Sequence, residues 1–173
     1  MIRIAEEKDL RDILEIHRLA FNEEDEAELV ENLLNDPSAH PCLSLLSFKN
    51  EESIGHILLT KAQIVGTPLN AYLLAPLAVK PDYHYKGTGK RLMREAFKQL
   101  KQMDVDIVFV LGDPAYYTQV GFQTNAGKLG YPTPVPIPAK WADAWMMMKL
   151  HDCNETGQVK VADQISAPEY WSD

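Results

Sequence analysis

Three groups of side chains in this sequence have types and spacing suited to chemistry. Lys86-Gly87-Thr88-Gly89-Lys90 sets two glycines one residue apart between an apolar run and a basic amphipathic segment. Glycine lets the main chain approach a ligand closely, and a helix starting there offers unpaired N–H groups and a partial positive charge. Such a turn can cradle a phosphate, with Lys86, Lys90 and Arg91 adding charge. The same residues also suit a plain tight turn capped by Thr88. Tyr116 and Tyr117 are adjacent phenols shortly before Gly121-Phe122, and a phenol can donate a proton. Glu23, Glu24, Asp25, Glu26, Glu28 and Glu31 crowd carboxylates into one short stretch. They suit an acidic rim that attracts a cation, and equally a solvated helix face.

These groups need elements to hold them. "IRIA" at the start reads as a short strand. Leu10, Ile13, Leu14, His17 and Phe21 keep helical spacing, as do Ala27, Val30, Leu33 and Leu34, so helices are predicted over residues 10–21 and 25–34. Pro37 and Pro41 in "NDPSAHP" break the second. "CLSLLSF", "IGHILLTKAQIV" and "NAYLLAPLAV" read as strands joined by short turns, which makes them antiparallel. Pro76 cannot donate to a ladder, so it marks either a bulge or an edge strand. After the glycine turn, Leu92, Met93, Ala96, Phe97 and Leu100 predict a helix. "DIVFVL" then suits a strand buried on both faces, reached by a right-handed parallel crossover.

A short helix is expected over residues 115–120, capped by Asp113 ahead of Pro114. "GYPTPVPIPAKW" must be an extended connector, serving as a lid over a site or as a surface crossing. "AWMMMKL" is a further strand whose methionines belong to the core, and "QVKVA" a last short one. Apart from that strand, residues 151–173 carry no legible pattern. The fold class is mixed α/β.

The totals narrow the function. The 173 residues suit one domain, 1–173, with a core over 1–150 and a C-terminal extension over 151–173. The net charge of −8 repels phosphate backbones, so nucleic acid is not expected as a partner. No apolar run is long enough for a membrane span, and the charged start does not suit a signal peptide. Cys42 and Cys153 are far apart in sequence, so neither a disulfide framework nor a zinc site is supported. A cytoplasmic location is expected.

Two nucleotide-binding patterns fail on the glycine turn. A P-loop would need a glycine at His84 and a Ser or Thr at Arg91. The dinucleotide fingerprint would need a glycine at Leu92. A third pattern fits better. Val79, Pro81, Tyr83, His84, Gly87, Gly89 and Leu92 resemble the acetyl-CoA-binding run of the GNAT N-acetyltransferase superfamily. His84 stands where that family usually has Gln or Arg, and Tyr85 replaces a common glycine. "LGDPAYYTQVGF" resembles the family's Y-x-x-x-G-F element, with Tyr117 on its tyrosine. "VFVLGDPAYY", "AFNEEDEAELVENLL" and "GHILLTKAQI" are similar to the bacterial YhbS-like branch.

The resemblance implies a GNAT-type fold: a central, mostly antiparallel mixed sheet, a splayed parallel pair of fourth and fifth strands, and flanking helices. It implies acetyl-CoA as co-substrate and no metal. Leu77, Ala78 and Val79 would pair with the pantetheine arm. His84, Tyr85, Lys86, Gly87, Thr88, Gly89 and Lys90 would surround the diphosphate, and Tyr116 would pack nearby or touch the cofactor. Tyr117 would be the general acid for the departing sulfur, and an N–H around Ala78 would hold the oxyanion. For the base, Glu24, Glu26, His56, Asp113 and a water-linked carbonyl stay open. Glu26 is the named choice as base or substrate contact, and His56 also suits a core histidine. The expected activity is direct acetyl transfer, in a ternary complex, to a primary amine of a small molecule or protein. The alternative is a non-catalytic acyl-CoA sensor or interaction module. The resemblance also admits a homodimer.

Overall fold

Period-two alternation builds the centre of the molecule. In the computed structural model, which describes residues 1–172, the strands are β1 (Ile2–Ile4), β2 (Leu43–Lys49), β3 (Glu52–Ile64), β4 (Ala71–Val79), β5 (Ile107–Leu111), β6 (Trp145–Lys149) and β7 (Val159–Lys160). They form one sheet in the order β1-β2-β3-β4-β5-β6, with β7 joined to the far end of β3. Every pairing is antiparallel except β4 with β5. The predicted mixed sheet with its single parallel pair is therefore observed.

Helices cover both faces. α1 (Leu10–Phe21) and α2 (Asp25–Leu34) begin and end where the apolar spacing put them. They pack on one face with Leu46, Leu58, Leu73, Ala78 and Phe109. α3 (Thr88–Gln102) buries Leu92, Met93, Ala96 and Leu100 on the other, against Leu45, Ile57, Tyr72 and Val108. α4 (Pro114–Tyr117) follows β5 directly, and a 3-10 turn over Thr118–Val120 completes the predicted short helix. No helix among the described residues is long and apolar enough to cross a membrane.

Of the two options at Pro76, the bulge is present and resets the strand. Ile57 opposes Leu77 and Leu59 opposes Leu74, so Leu58 faces two residues, Ala75 and Pro76. The extra residue flips the alternation. Before it, Tyr72 and Leu74 point toward α3; after it, odd-numbered Leu77 does so, while Ala78 turns to the α1/α2 side.

Two segments behave differently from their sequence reading. The tail, legible in sequence only at "QVKVA", is part of the core: Val159, Val161, Ala162, Ile165 and Trp171 are buried. The Asp36 and Ser38 side chains accept the main-chain N–H groups of Gln164 and Asp163 at 3.0 and 2.9 Å, fastening the tail beside α2. The proline connector is anchored inward by buried Tyr131, whose carbonyl accepts the Trp145 indole N–H at 2.8 Å. It does not line the cavities described below, so the lid option is set aside.

His56 sits in the core as the alternative reading had it. Its Nδ1 lies 2.8 Å from His17 Nε2 and its Nε2 2.8 Å from Ser44 Oγ, with both rings buried. Burial pulls His17 down to about 4, and burial with the neighbouring His17 pulls His56 well below its ordinary range. Both imidazoles thus fold neutral, whereas the unfolded chain protonates them below about pH 6.5. The unfolded state binds more protons between that pH and about 4, so stability falls as pH drops through this window. Denaturant unfolding at pH 7 and pH 5 is expected to differ by about 2 kcal/mol from His17 alone. Equal stabilities at the two values would contradict neutral burial.

Candidate active site

The site begins where two strands part. β4 and β5 pair only through Ala71–Leu73 with Ile107–Phe109. Past that point β4 stays with β3 and β5 stays with β6, through Val110 with Met146 and Leu111 with Trp145. The bulge carries β4 away from its neighbour, and the edge from Leu74 to Val79 is left open. Lys80 N–H donates to Ile54 O at 2.8 Å, so by alternation Ala78 also turns its main chain to β3. Leu77 and Val79 turn theirs toward the gap. This corrects the expectation for Ala78: its N–H is spent on the sheet and its methyl on the core. Leu77 faces the gap with both its main-chain groups and Val79 with its N–H, the Val79 carbonyl being taken by His84 Nε2, and Leu77 N–H replaces Ala78 N–H as the candidate oxyanion donor.

The glycine turn closes one end of the gap. Gly87 has φ +80° and precedes α3 as its cap, while Thr88 is the first helical residue and is buried. Thr88 is therefore not the cap, which corrects that reading; its hydroxyl accepts from Arg91 Nη2 at 3.3 Å. Arg91 N–H donates to Gly87 O at 3.0 Å, closing the first helical turn. The N–H groups of Thr88, Gly89 and Lys90 precede that bond and have no partner within the helix. Tyr85 holds φ +61° where the family run has glycine, and its ring is fully exposed. The bulky side chain stands in solvent at the edge of the cleft, which Tyr85 also lines.

The flanking residues divide. His84 Nε2 donates to the Val79 carbonyl at 2.6 Å, tying the turn to the end of β4. Lys90 bonds Gln119 across the mouth. Lys86 lies over the Tyr83 ring, 5.7 Å from its centre, and outside the lining of the cleft.

Two cavities meet at the splay. One, of about 660 Å³, runs from Leu77 and Val79 along the turn to Lys90 and is walled by Asp113, Tyr116 and Gln119. The other, of about 650 Å³, opens between α2, the splayed strands and the tail, and is lined by Phe21, Asp25, Glu26, Glu28, Glu169 and Tyr170 among others. Leu77 and Tyr117 line both. Tyr116 lines only the first, so the two phenols separate as their helical offset predicts. Their rings meet edge-on at 5.1 Å.

Burial raises the Tyr117 phenol far above its ordinary range, with Tyr116 and Asp113 adding to the shift. A phenol so placed stays protonated at neutral pH and can give a proton but does not hold a negative charge easily. Burial, then Glu23 and Asp25, raises Glu26 from its ordinary value, which makes it a stronger base than a free carboxylate.

The other side chains named as base candidates have partners elsewhere, and a water-linked carbonyl stays open. Glu24 is paired with Arg18 at 2.8 Å, Asp113 accepts the Ala115 N–H at 3.0 Å as the predicted cap, and His56 is in the core. Among the described residues, no group of three or more His, Cys, Asp or Glu is placed to hold a metal ion.

Residues at the site also escaped the sequence reading. Glu169 and Tyr170 sit in the tail, where the only signal was an aromatic pair, Tyr170-Trp171, in a polar stretch. Gly112 lies under the Tyr117 ring and was hidden inside the "LGDP" turn.

Comparison with known proteins agrees with this geometry. A family profile described as "Acetyltransferase (GNAT) domain" matches residues 1–124. The uncharacterized N-acetyltransferase YjhQ of Escherichia coli K12 is 43% identical over 165 residues, 92% of this chain and 91% of that protein. The uncharacterized N-acetyltransferase YhbS of the same strain is 31% identical over 127 residues, 73% of this chain and 75% of its own. The crystal structure of E. coli YhbS in complex with CoA superposes with a TM-score of 0.86 at 27% identity, covering 96% of this chain and 92% of that one. Sheet order, splay, glycine turn, family profile and relatives agree: the chain belongs to the GNAT acetyltransferases.

Proposed function

We propose that the protein moves an acetyl group from acetyl-CoA to a primary amine in a ternary complex. The observation that carries this reading is the junction of two cavities at Leu77 and Tyr117. One cavity suits the coenzyme: unpaired amides at Thr88, Gly89 and Lys90 for the diphosphate, and the open edge of Leu77 and the Val79 N–H for the pantetheine amides. CoA in the crystal structure of YhbS supports that assignment. The other cavity receives the acceptor. Its rim of Asp25, Glu26, Glu28 and Glu169 favours a cationic amine from a small molecule or an exposed protein chain.

At the junction the amine, freed of a proton by Glu26 directly or through water, attacks the thioester carbonyl carbon. Leu77 N–H holds the oxygen as charge develops. The C–S bond then breaks, and the Tyr117 phenol protonates the departing sulfur. Proton exchange with solvent restores Glu26 and Tyr117.

Free-thiol release from acetyl-CoA over a panel of mono- and diamines tests the activity. Amine-dependent release is expected. Tight CoA binding with no release for any amine would favour the sensor alternative. Glu26→Gln is expected to lower kcat/KM for the amine about tenfold and to leave acetyl-CoA affinity unchanged. An unchanged kcat/KM in that variant would remove Glu26 from the reaction.

A further inference from the structure

We infer that Gly112, directly after β5, is a positioning residue that sets the angle of the Tyr117 ring; the inference rests on the role proposed above for Tyr117. A Cβ built on Gly112 would fall 2.5 Å from Tyr117 Cε2, 3.0 Å from Cδ2 and 3.5 Å from Cζ. Carbon atoms do not approach to 2.5 Å without bonding, so this ring orientation exists only because position 112 has no side chain.

Two neighbouring rings pack against it as well. Phe122 meets it edge-on at 5.8 Å and Tyr116 at 5.1 Å. The backbone under it is pinned by Gly112 N–H to Ala144 O at 3.0 Å and by Tyr117 N–H to Asp113 O at 3.1 Å. With these walls in place, an added methyl group at 112 can be relieved only by moving the phenol. The backbone itself does not require glycine there, since Gly112 is absent from the residues with positive φ. The missing Cβ therefore serves the ring rather than the turn.

Gly89 offers a parallel. A Cβ there would collide with the Tyr116 hydroxyl. Tyr116 touches one cavity and Tyr117 both, so the consequence for chemistry falls on Gly112.

Gly112→Ala tests this in a double-variant cycle with Tyr117→Phe, reading kcat, acetyl-CoA affinity and melting temperature. Displacing a reacting group by about 1 Å costs on the order of 100-fold. Gly112→Ala is expected to lower kcat about 10- to 100-fold with acetyl-CoA affinity changed less than about threefold. Added to Tyr117→Phe it should lower kcat no further, because the proton donor is already gone. A normal kcat in Gly112→Ala, or losses that multiply in the double variant, would overturn the positioning role while leaving Tyr117 as acid. Full turnover in Tyr117→Phe would remove the acid and the positioning role together.

If Gly112→Ala folds poorly, melting temperature carries the test. In a Tyr117→Ala background the ring is absent, and the added methyl should cost nothing further. A double variant that melts lower than Tyr117→Ala, by as much as Gly112→Ala falls below the parent, would show a collision with something else and overturn the proposal.

Discussion

Tyr117→Phe is expected to lower kcat by about 100- to 1,000-fold while acetyl-CoA affinity stays within about twofold. The substitution removes one oxygen from a ring whose packing against Phe122 and Tyr116 is otherwise kept. Burial raises this phenol first, and its neighbours Tyr116 and Asp113 add to that, so it is protonated throughout the neutral range. Loss of its proton therefore contributes no alkaline limb to kcat below about pH 10. Steady-state kinetics with parallel calorimetry separates the two quantities. A variant that turns over at the parent rate would show that the sulfur leaves without this proton.

Gly87→Val is expected to weaken acetyl-CoA binding by about 100-fold or more, through the backbone. At φ +80° a β-branched side chain is strained by about 1 to 2 kcal/mol, and its Cβ would also meet Arg91 Nη1 at 3.0 Å. The turn relaxes, and the amides of Thr88, Gly89 and Lys90 no longer converge. Gly66→Val is the control. Gly66 has nearly the same φ, +81°, in the turn between β3 and β4, with open space where a Cβ would go. Both variants should lose similar stability, but only Gly87→Val should lose the coenzyme. Equal coenzyme affinities in the two would mean the turn is not the phosphate cradle. Gly89 is a less clean probe because a side chain there strikes Tyr116 first.

Much of the scaffold was legible because its signals are local. The apolar spacing of residues 10–21 and 25–34 reproduces α1 and α2, and a proline in a strand otherwise fit for a sheet centre marked the bulge. What escaped depends on parity and on distance. Whether Ala78 or Leu77 offers its N–H to the gap is decided by one extra residue at the bulge, which no spacing rule applied to β4 alone reveals. Glu169 and Tyr170 reach the acceptor cavity only because Asp36 and Ser38, more than 120 residues earlier, fasten the tail beside α2. The Gly112–Tyr117 contact spans five residues, but it needs side-chain coordinates to be seen. Glu24 and Glu26 look alike in sequence; Arg18 claims the first, and burial with Glu23 and Asp25 shifts the second.

The most direct test of the central claim is electron density for CoA in a crystal of this protein. The diphosphate oxygens are expected within hydrogen-bonding distance, about 2.7–3.2 Å, of the main-chain N–H groups of Thr88, Gly89 and Lys90. The sulfur should lie within reach of the Tyr117 hydroxyl. Phosphates bound away from this turn, or a sulfur remote from Tyr117, would contradict the account.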